Sequence, residues 1–167
     1  MSSHSRRLLH VCLIVVAVAA WPSAGWSRAR NCDVNKVVTA LLQNWANQLK
    51  ASSPDNTKPI VGTYGDTAVL VPTCKNGPLT GDKIVNYFRG FTADKPVATF
   101  DMPSAKIGGT CANPFASGLY SFKLNGGTGR ELRARFTYVF EQTGPASWRI
   151  AQHHSSLEPE STGACPD

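Results

Sequence analysis

The first regular pattern in the chain is one long amphipathic segment. Asp33 is a suitable N-cap, and after it apolar residues recur at the three- and four-residue spacing of one helix face. Ser52, Ser53 and Pro54 then interrupt the pattern. The spacing predicts a helix of about four to five turns, with an apolar stripe made of Val34, Val37, Val38, Leu41, Leu42, Trp45 and Leu49.

Two shorter helices and one short strand are predicted next. Pro59 suits the first turn of a helix that reaches Tyr64. A strand over 67–71 is ended by Pro72. Thr80 is predicted to cap a third helix, whose first turn and apolar face contain Asp82, Ile84, Tyr87, Phe88 and Phe91.

From Val97 onward the apolar residues alternate with polar ones, which is the period of a β-strand. Alternating segments cover 98–100, 119–124, 135–140 and 148–154, and a turn is indicated by Asn-Gly-Gly at 125–127. Helices followed by long antiparallel strands predict an α+β domain. In this fold about three helices cover one face of a curved antiparallel sheet.

The first 29 residues have the pattern of a secretory signal peptide. Arg6 and Arg7 precede an apolar run over 8–20, and small residues follow at 23–25. The run is shorter than the about 20 residues that span a bilayer. We therefore expect cleavage between positions 20 and 29 by the general or the twin-arginine route. A single domain over 30–167 is then exported, periplasmic or secreted, without membrane attachment.

The charge of the mature chain argues against nucleic-acid binding. Loss of the signal peptide removes Arg6, Arg7 and Arg28, which leaves 14 basic and 11 acidic residues and a net charge of +3 instead of +6. These charges are dispersed along the sequence. Because proteins that bind nucleic acids need a concentrated basic surface, we exclude that class.

Four cysteines remain after signal removal. An even number in an exported chain indicates two disulfides, for which three pairings are possible. The sequence has no Cys-x-x-Cys pair, and spacings of 42, 37 and 54 residues do not suit a structural zinc site. We expect no metal, and we expect the pairs Cys32–Cys165, which would join the two ends, and Cys74–Cys111.

Five segments, in this order, resemble one family of pocket-forming domains. They cover 64–73, 84–91, 118–122, 134–140 and 148–156. Together with the order of elements, they are similar to the nuclear-transport-factor-2-like cone and to SnoaL-like proteins. They are more closely similar to the calcium/calmodulin-dependent kinase II association domain and its bacterial relatives, including the SgcJ/EcaC group.

The resemblance implies a conical sheet, capped by helices, with a pocket inside. It also implies a homodimer or a larger homo-oligomer that forms through the outer face of the sheet. Some of the bacterial relatives carry an oxidoreductase label. This sequence contains no Gly-rich nucleotide-binding turn and no Cys-x-x-Cys pair, so we expect no cofactor.

Two adjacent histidines on the last predicted strand are candidate site residues. Neighbours in a regular strand point to opposite faces, so His153 and His154 cannot both line the pocket unless a bulge intervenes. Trp148 and Ile150 have the character of core residues, which predicts that His154 faces inward and His153 outward. The resemblance places the counterparts of His154 and Ser156 near the pocket.

His154 has three possible roles at this position. It can fix the strand end by hydrogen bonding, anchor a ligand, or act as a general acid or base, since imidazole titrates near neutrality. Asp66, which follows Tyr64, is a weaker catalytic candidate and is otherwise a turn-capping residue. Arg135 either points into the pocket as a clamp for an anion or lies on the outer face beside Thr137.

An aromatic pocket wall is the remaining prediction, although most of these side chains also suit an ordinary core. Its members are Trp45, Tyr64, Tyr87, Phe100, Tyr120 and Tyr138.

Three functions are compatible with this sequence. We favour an exported, self-associating domain that binds a small apolar or weakly acidic ligand. The alternatives are a SnoaL-type enzyme (isomerase, cyclase, hydrolase or lyase) that uses His154 in proton transfer, and a structural oligomerisation module.

Overall fold

The computed structural model describes residues 32–75 and 77–158, and the predicted signal peptide lies outside them. Helices precede most of the strands, so the predicted α+β class is confirmed. No helix in the described ranges combines the length and the apolar character needed to cross a membrane. The elements are α1 (Val34–Lys50), α2 (Lys58–Val61), β1 (Tyr64–Val71), α3 (Asp82–Phe91), β2 (Val97–Gly109), β3 (Pro114–Lys123), β4 (Glu131–Gly144) and β5 (Ser147–Leu157), with 3-10 turns at Thr92–Asp94 and Asn125–Gly127.

The five strands form one sheet in the order β1-β5-β4-β3-β2. Strands β2 to β5 are an antiparallel meander, as predicted. Strand β1 pairs with β5 in parallel and makes the sheet mixed. This pairing is possible because α3 and strands β2, β3 and β4 separate β1 from β5 in the chain. This connection is far longer than a parallel pairing requires.

Helix α1 forms where its apolar stripe predicted. The Asp33 side chain accepts a hydrogen bond from the Lys36 backbone N–H at 3.2 Å, which caps the helix and stabilises it by about 1 kcal/mol. The helix packs mainly against β2. Its buried face consists of Val38, Leu42, Trp45, Ala46 and Leu49.

Two details of the predicted helices are wrong. The second helix is only one turn long, and Tyr64 begins β1 instead of ending α2. Thr80 is not the cap of α3, because Gly81 occupies that position with a φ of 51°. Glycine adopts this left-handed conformation without the steric penalty that a Cβ would cause.

A β-bulge in β5 reverses the predicted orientation of the two histidines. Phe140 pairs with Ile150 and Val139 pairs with Gln152, so Ala151 is an extra residue in the strand. Beyond the bulge the alternation is shifted by one position. His153 is therefore the inner residue, only 3% exposed, and His154 is exposed on the outer face. The prediction that His154 faces inward and His153 outward is wrong.

The predicted disulfide pairing is also wrong. Cys32 is bonded to Cys111, with 6.2 Å between the Cα atoms, and Cys74 is also disulfide-bonded. Neither Cys32–Cys165 nor Cys74–Cys111 is therefore formed. Cys32 directly precedes α1, and Cys111 lies in the turn between β2 and β3. Packing of α1 against β2 brings these two positions together.

Candidate functional site

A cavity of about 300 Å³ lies between α3 and the inner face of the sheet. Helix α3 contributes one wall, and strands β3, β4 and β5 supply the opposite wall. The buried Trp45 of α1 forms the inner end of the cavity. We call this space the inner cavity. Its lining includes Trp45, Leu70, Thr73, Tyr87, Phe88, Phe91, Tyr120, Phe122, Leu132, Ala134, His153, Ser155 and Leu157, with Lys75, Asn86 and Asp94 contributing polar groups.

Aromatic rings make up much of this surface. The Trp45 indole is 1% exposed and meets the rings of Tyr120, Tyr138 and His153 at centroid distances of 6.4, 5.6 and 5.5 Å. Three of the six aromatic residues proposed for the wall line the cavity, namely Trp45, Tyr87 and Tyr120. The other three belong to the surrounding core, namely Tyr64, Phe100 and Tyr138.

A chain of buried hydrogen bonds runs from the core into the cavity. The Trp45 Nε1–H donates to Tyr64 Oη at 3.2 Å, and Tyr64 Oη lies 2.8 Å from His153 Nδ1. On the other side of the ring, His153 Nε2 lies 3.4 Å from Tyr120 Oη. The chain ends at the cavity surface, where Tyr120 donates to Ser155 and Ser155 is bonded to Thr73.

The donor-only indole fixes the direction of this chain. Because Tyr64 Oη accepts from Trp45, its own proton is available for His153 Nδ1. The opposite arrangement would leave the buried Tyr64 hydroxyl proton without an acceptor in the described structure, which is unfavourable. His153 is therefore the neutral tautomer with its proton on Nε2, and it donates to Tyr120.

One hydroxyl proton is left over at the cavity end. Ser155 already accepts a hydrogen bond from Tyr120, and the bond between Ser155 and Thr73 uses one of their two protons. The second proton has no partner among the described residues and can be donated to a ligand. The polar end of the cavity is thus a hydrogen-bond donor that the surrounding fold holds in place.

The buried titratable groups of the inner cavity, His153, Tyr87 and Tyr120, are held in their neutral forms. Burial, together with the smaller effect of the nearby His154, lowers the pKa of His153 to about 3. Burial also raises the pKa of Tyr87 and of Tyr120 far above the ordinary value for a phenol. The buried part of the lining is therefore uncharged at neutral pH, whereas Lys75 is exposed and Asp94 is half-buried.

The lowered pKa of His153 predicts that acid destabilises the protein. The folded state binds fewer protons than the unfolded state between the ordinary pKa of 6.5 and the folded pKa of about 3. The contribution of neutral His153 to the free energy of unfolding is therefore fully present above pH 6.5. It is lost as the pH falls from 6.5 towards 3. We expect His153 alone to lower the free energy of unfolding by about 2 kcal/mol between pH 7 and pH 5. Urea titrations at both pH values test this, and a His153→Phe variant should lack that part of the loss.

Comparison with known proteins agrees with this architecture. The family model described as the SnoaL-like domain matches residues 38–159, which is well over half of the chain. The chain belongs to the SnoaL-like family. The resemblance drawn from the sequence is therefore confirmed.

Solved structures similar to this SnoaL-like chain include three that have informative names. A Xanthomonas campestris protein described as a calcium/calmodulin-dependent protein kinase II association domain is 29% identical, has a TM-score of 0.65, and is matched over 74% of this chain and 86% of its own. A nuclear-transport-factor-2-like superfamily protein from Salmonella enterica is 18% identical, with a TM-score of 0.60 and coverage of 78% and 94%. A protein from Parabacteroides distasonis described as a ketosteroid isomerase is 16% identical, with a TM-score of 0.60 and coverage of 78% and 92%. No curated protein matches the chain.

Besides the three aromatic core residues, four further candidates from the sequence do not lie at the inner cavity of this SnoaL-like domain. Arg135, His154 and Ser156 are brought together on the opposite, outer face of the sheet. Arg135 therefore lies on the outer face beside Thr137 and does not point into the pocket as an anion clamp. Asp66 is exposed on β1 and lines no described cavity, so it does not meet His154 inside the fold.

Sequence reasoning missed the polar end of the cavity. His153, Ser155 and Thr73 are its main components, and His153 was assigned to the other face by simple alternation. The sequence contains only a weak indication of the bulge in β5. Ala151 is the only small residue between Trp148 and His153, and a bulge at this point lets β5 keep both Ile150 and His153 inside. Within the described ranges, no group of three or more His, Cys, Asp or Glu residues is placed to hold a metal ion.

Proposed function

We propose that this SnoaL-like domain binds an uncharged, mainly apolar small molecule in its inner cavity. The observation that carries the proposal is the combination of an aromatic wall with a single hydroxyl donor at Ser155 and Thr73. Ligand sites typically combine a mostly apolar surface with a few fixed polar groups in this way. A ligand of this class would place a carbonyl or ether oxygen against the hydroxyl pair.

The charge state of the interior supports a neutral ligand. His153 and Tyr120 are uncharged at neutral pH, and burial of a ligand carboxylate beside them would incur a large desolvation penalty. Lys75 is exposed, so its ammonium group does not make the interior cationic. Of the apolar and weakly acidic ligands expected from the sequence, the apolar class is therefore favoured.

The contacts of His153 favour binding over acid–base catalysis. Its two ring nitrogens bond to the hydroxyls of Tyr64 and Tyr120, and no carboxylate within the described chain is hydrogen-bonded to it. With a pKa of about 3, it is also a weak proton acceptor. The similar structure described as a ketosteroid isomerase, at 16% identity, shares the fold alone. We rank the enzyme alternative second.

We also propose that the domain is exported after signal cleavage and that it self-associates. The disulfide between Cys32 and Cys111 supports an oxidising location, since disulfides persist mainly outside the cytosol. Self-association is supported by the similarity to a protein described as an association domain. Both proposals can be examined in the experiment that tests ligand binding.

Native mass spectrometry of the full chain, expressed with export and kept oxidised, tests the proposed function. We expect a stoichiometric neutral molecule that is released on denaturation. The intact mass gives the cleavage site, and the native mass gives the oligomeric state. An Ala134→Phe variant should lose the molecule, because this side chain is 1% exposed and its enlargement fills the cavity.

Val139→Phe is the matched control, since it adds similar bulk to the same strand on the outer face. It should retain the bound molecule. Circular dichroism establishes that both variants are folded. A folded protein without any bound molecule would contradict the proposal and favour the structural module. Retention of the molecule by folded Ala134→Phe protein would place the binding site elsewhere.

A further inference from the structure

A second disulfide is attached to the lining of the inner cavity. Cys74 follows β1, lies in that lining and is disulfide-bonded. Cys32 and Cys111 are bonded to each other, so neither of them is its partner. The chain has two other cysteines, Cys12 and Cys165. Cys12 lies in the apolar run of the predicted signal peptide, so in the exported chain only Cys165 is available to Cys74.

The half-buried Cys74 lies where the inner cavity opens to the surface. Lys75, Asn86 and Gly90 belong to the same lining and are exposed, and Leu157 is half-buried. These five residues surround the opening between the end of the sheet and α3. We call this opening the mouth of the inner cavity.

The ends of β1 and β5 lie on the same side of the mouth. The two strands run parallel, with Val71 paired to His154, so they leave the sheet at the same edge. Cys74 and Leu157 each follow that pair by three residues. The chain therefore leaves β5 beside the mouth, and the partner of Cys74 must come back to the same place.

The first residue after β5 is held on the side of the strand away from β1. The Glu158 backbone N–H donates to the Arg133 carbonyl oxygen at 3.1 Å, and the Glu158 carboxylate forms an ion pair with the Arg133 side chain at 3.1 Å. Because β5 lies between β4 and β1, the chain beyond Glu158 has to pass the end of β5 to reach Cys74. An extended chain from Glu158 to Cys165 reaches at most about 25 Å, which is ample for this path.

We propose that a disulfide between Cys74 and Cys165 holds residues 159–164 as a strap across the mouth of the inner cavity. The segment reads Pro-Glu-Ser-Thr-Gly-Ala and contains no large apolar side chain. It would therefore cover the mouth without filling the aromatic interior. The strap would slow the exchange of a bound molecule, and this consequence alone rests on the proposed function.

Peptide mapping of the full exported protein, without reduction, tests the bond. The four cysteines of the exported chain fall on four different tryptic peptides, so each pairing gives its own mass. We expect the peptides of Cys74 and Cys165 to be joined, and the denatured, unreduced protein to have the mass of one chain. A free Cys165 thiol, or a bond from Cys165 to a second chain, would overturn the proposal.

Acrylamide quenching of tryptophan fluorescence tests the strap itself. Trp45 forms the inner end of the cavity, and acrylamide is a small, uncharged probe that has to pass the mouth to reach it. After removal of any bound molecule, Cys165→Ala protein should be quenched about twofold more strongly than the unchanged protein, because the mouth then opens locally. Ser161→Ala is the matched control, since it alters the same segment and leaves the bond intact. Trp148 lies outside the cavity lining and contributes equally to all of these proteins.

A glycine insertion after Gly163 provides a second variant that keeps both cysteines. It lengthens the strap and should also increase the quenching, so the test does not depend on the folding of the Cys165→Ala protein. Circular dichroism establishes that each variant is folded. Equal quenching in all of the folded proteins would overturn the strap, even if a bound molecule is captured as the proposed function expects. Stronger quenching of the two strap variants, in a protein that carries no bound molecule, would support the strap and contradict the proposed function.

Discussion

Replacement of His153 by phenylalanine is expected to lower the free energy of unfolding at pH 7 by about 2–3 kcal/mol. The aromatic ring is retained between Tyr138 and Trp45, where the imidazole now stacks at a centroid distance of 4.0 Å and makes an edge contact at 5.5 Å. The buried Tyr64 hydroxyl, however, loses its acceptor, and Tyr120 loses a donor. Urea denaturation of both proteins measures the difference.

The adjacent residue provides the control. His154→Phe changes an exposed side chain and should alter stability by no more than about 0.5 kcal/mol. The contrast between two neighbouring histidines tests the bulge at Ala151 directly. If His154→Phe were the more damaging substitution, the regular alternation would hold and the described orientation of β5 would be wrong.

Removal of the disulfide between Cys32 and Cys111 is expected to have the larger effect. The two cysteines are 79 residues apart, so the bond restricts a large part of the unfolded chain. The loop-entropy relation gives a stabilisation of about 4.5 kcal/mol for a loop of this length. The double variant Cys32→Ser/Cys111→Ser should therefore unfold at a much lower urea concentration, with a steeper dependence on urea because the unfolded chain can expand.

The double variant is preferable to chemical reduction because Cys74 is also disulfide-bonded and would be reduced as well. Comparison of the oxidised double variant with the same protein in reductant isolates the contribution of the Cys74 bond. A loss of less than about 1 kcal/mol in the oxidised double variant would show that the bond does not stabilise the domain through loop closure.

Much of the fold could be predicted because it depends on periodicity. The apolar stripe of α1 and the alternating aromatic residues of β4 repeat over enough positions to define both the element and its buried face. The parallel pairing of β1 with β5 could not be predicted this way. It depends on contacts between residues that are distant in sequence, and no local pattern encodes them.

The candidate site was harder to predict because one inserted residue, Ala151, determines which side chains of β5 face the inner cavity. The inner face of β4 follows directly from Phe136, Tyr138 and Phe140, which are all buried. On β5 the same reasoning fails after Ile150, since the extra residue at Ala151 moves every later side chain to the other face. The polar end of the inner cavity depends on that shift, whereas its aromatic wall does not.

The bulge also affects how roles can be transferred between related sequences. An alignment that matches the two consecutive histidines of this chain to a relative says nothing about which one is enclosed, unless the relative also has the additional residue before them. A one-residue gap placed on the wrong side of Ala151 would exchange the β5 residues assigned to the inner cavity with those assigned to the outer face of the sheet. Inference from homologues in this family therefore requires the strand pairing of β5 as well as the aligned letters.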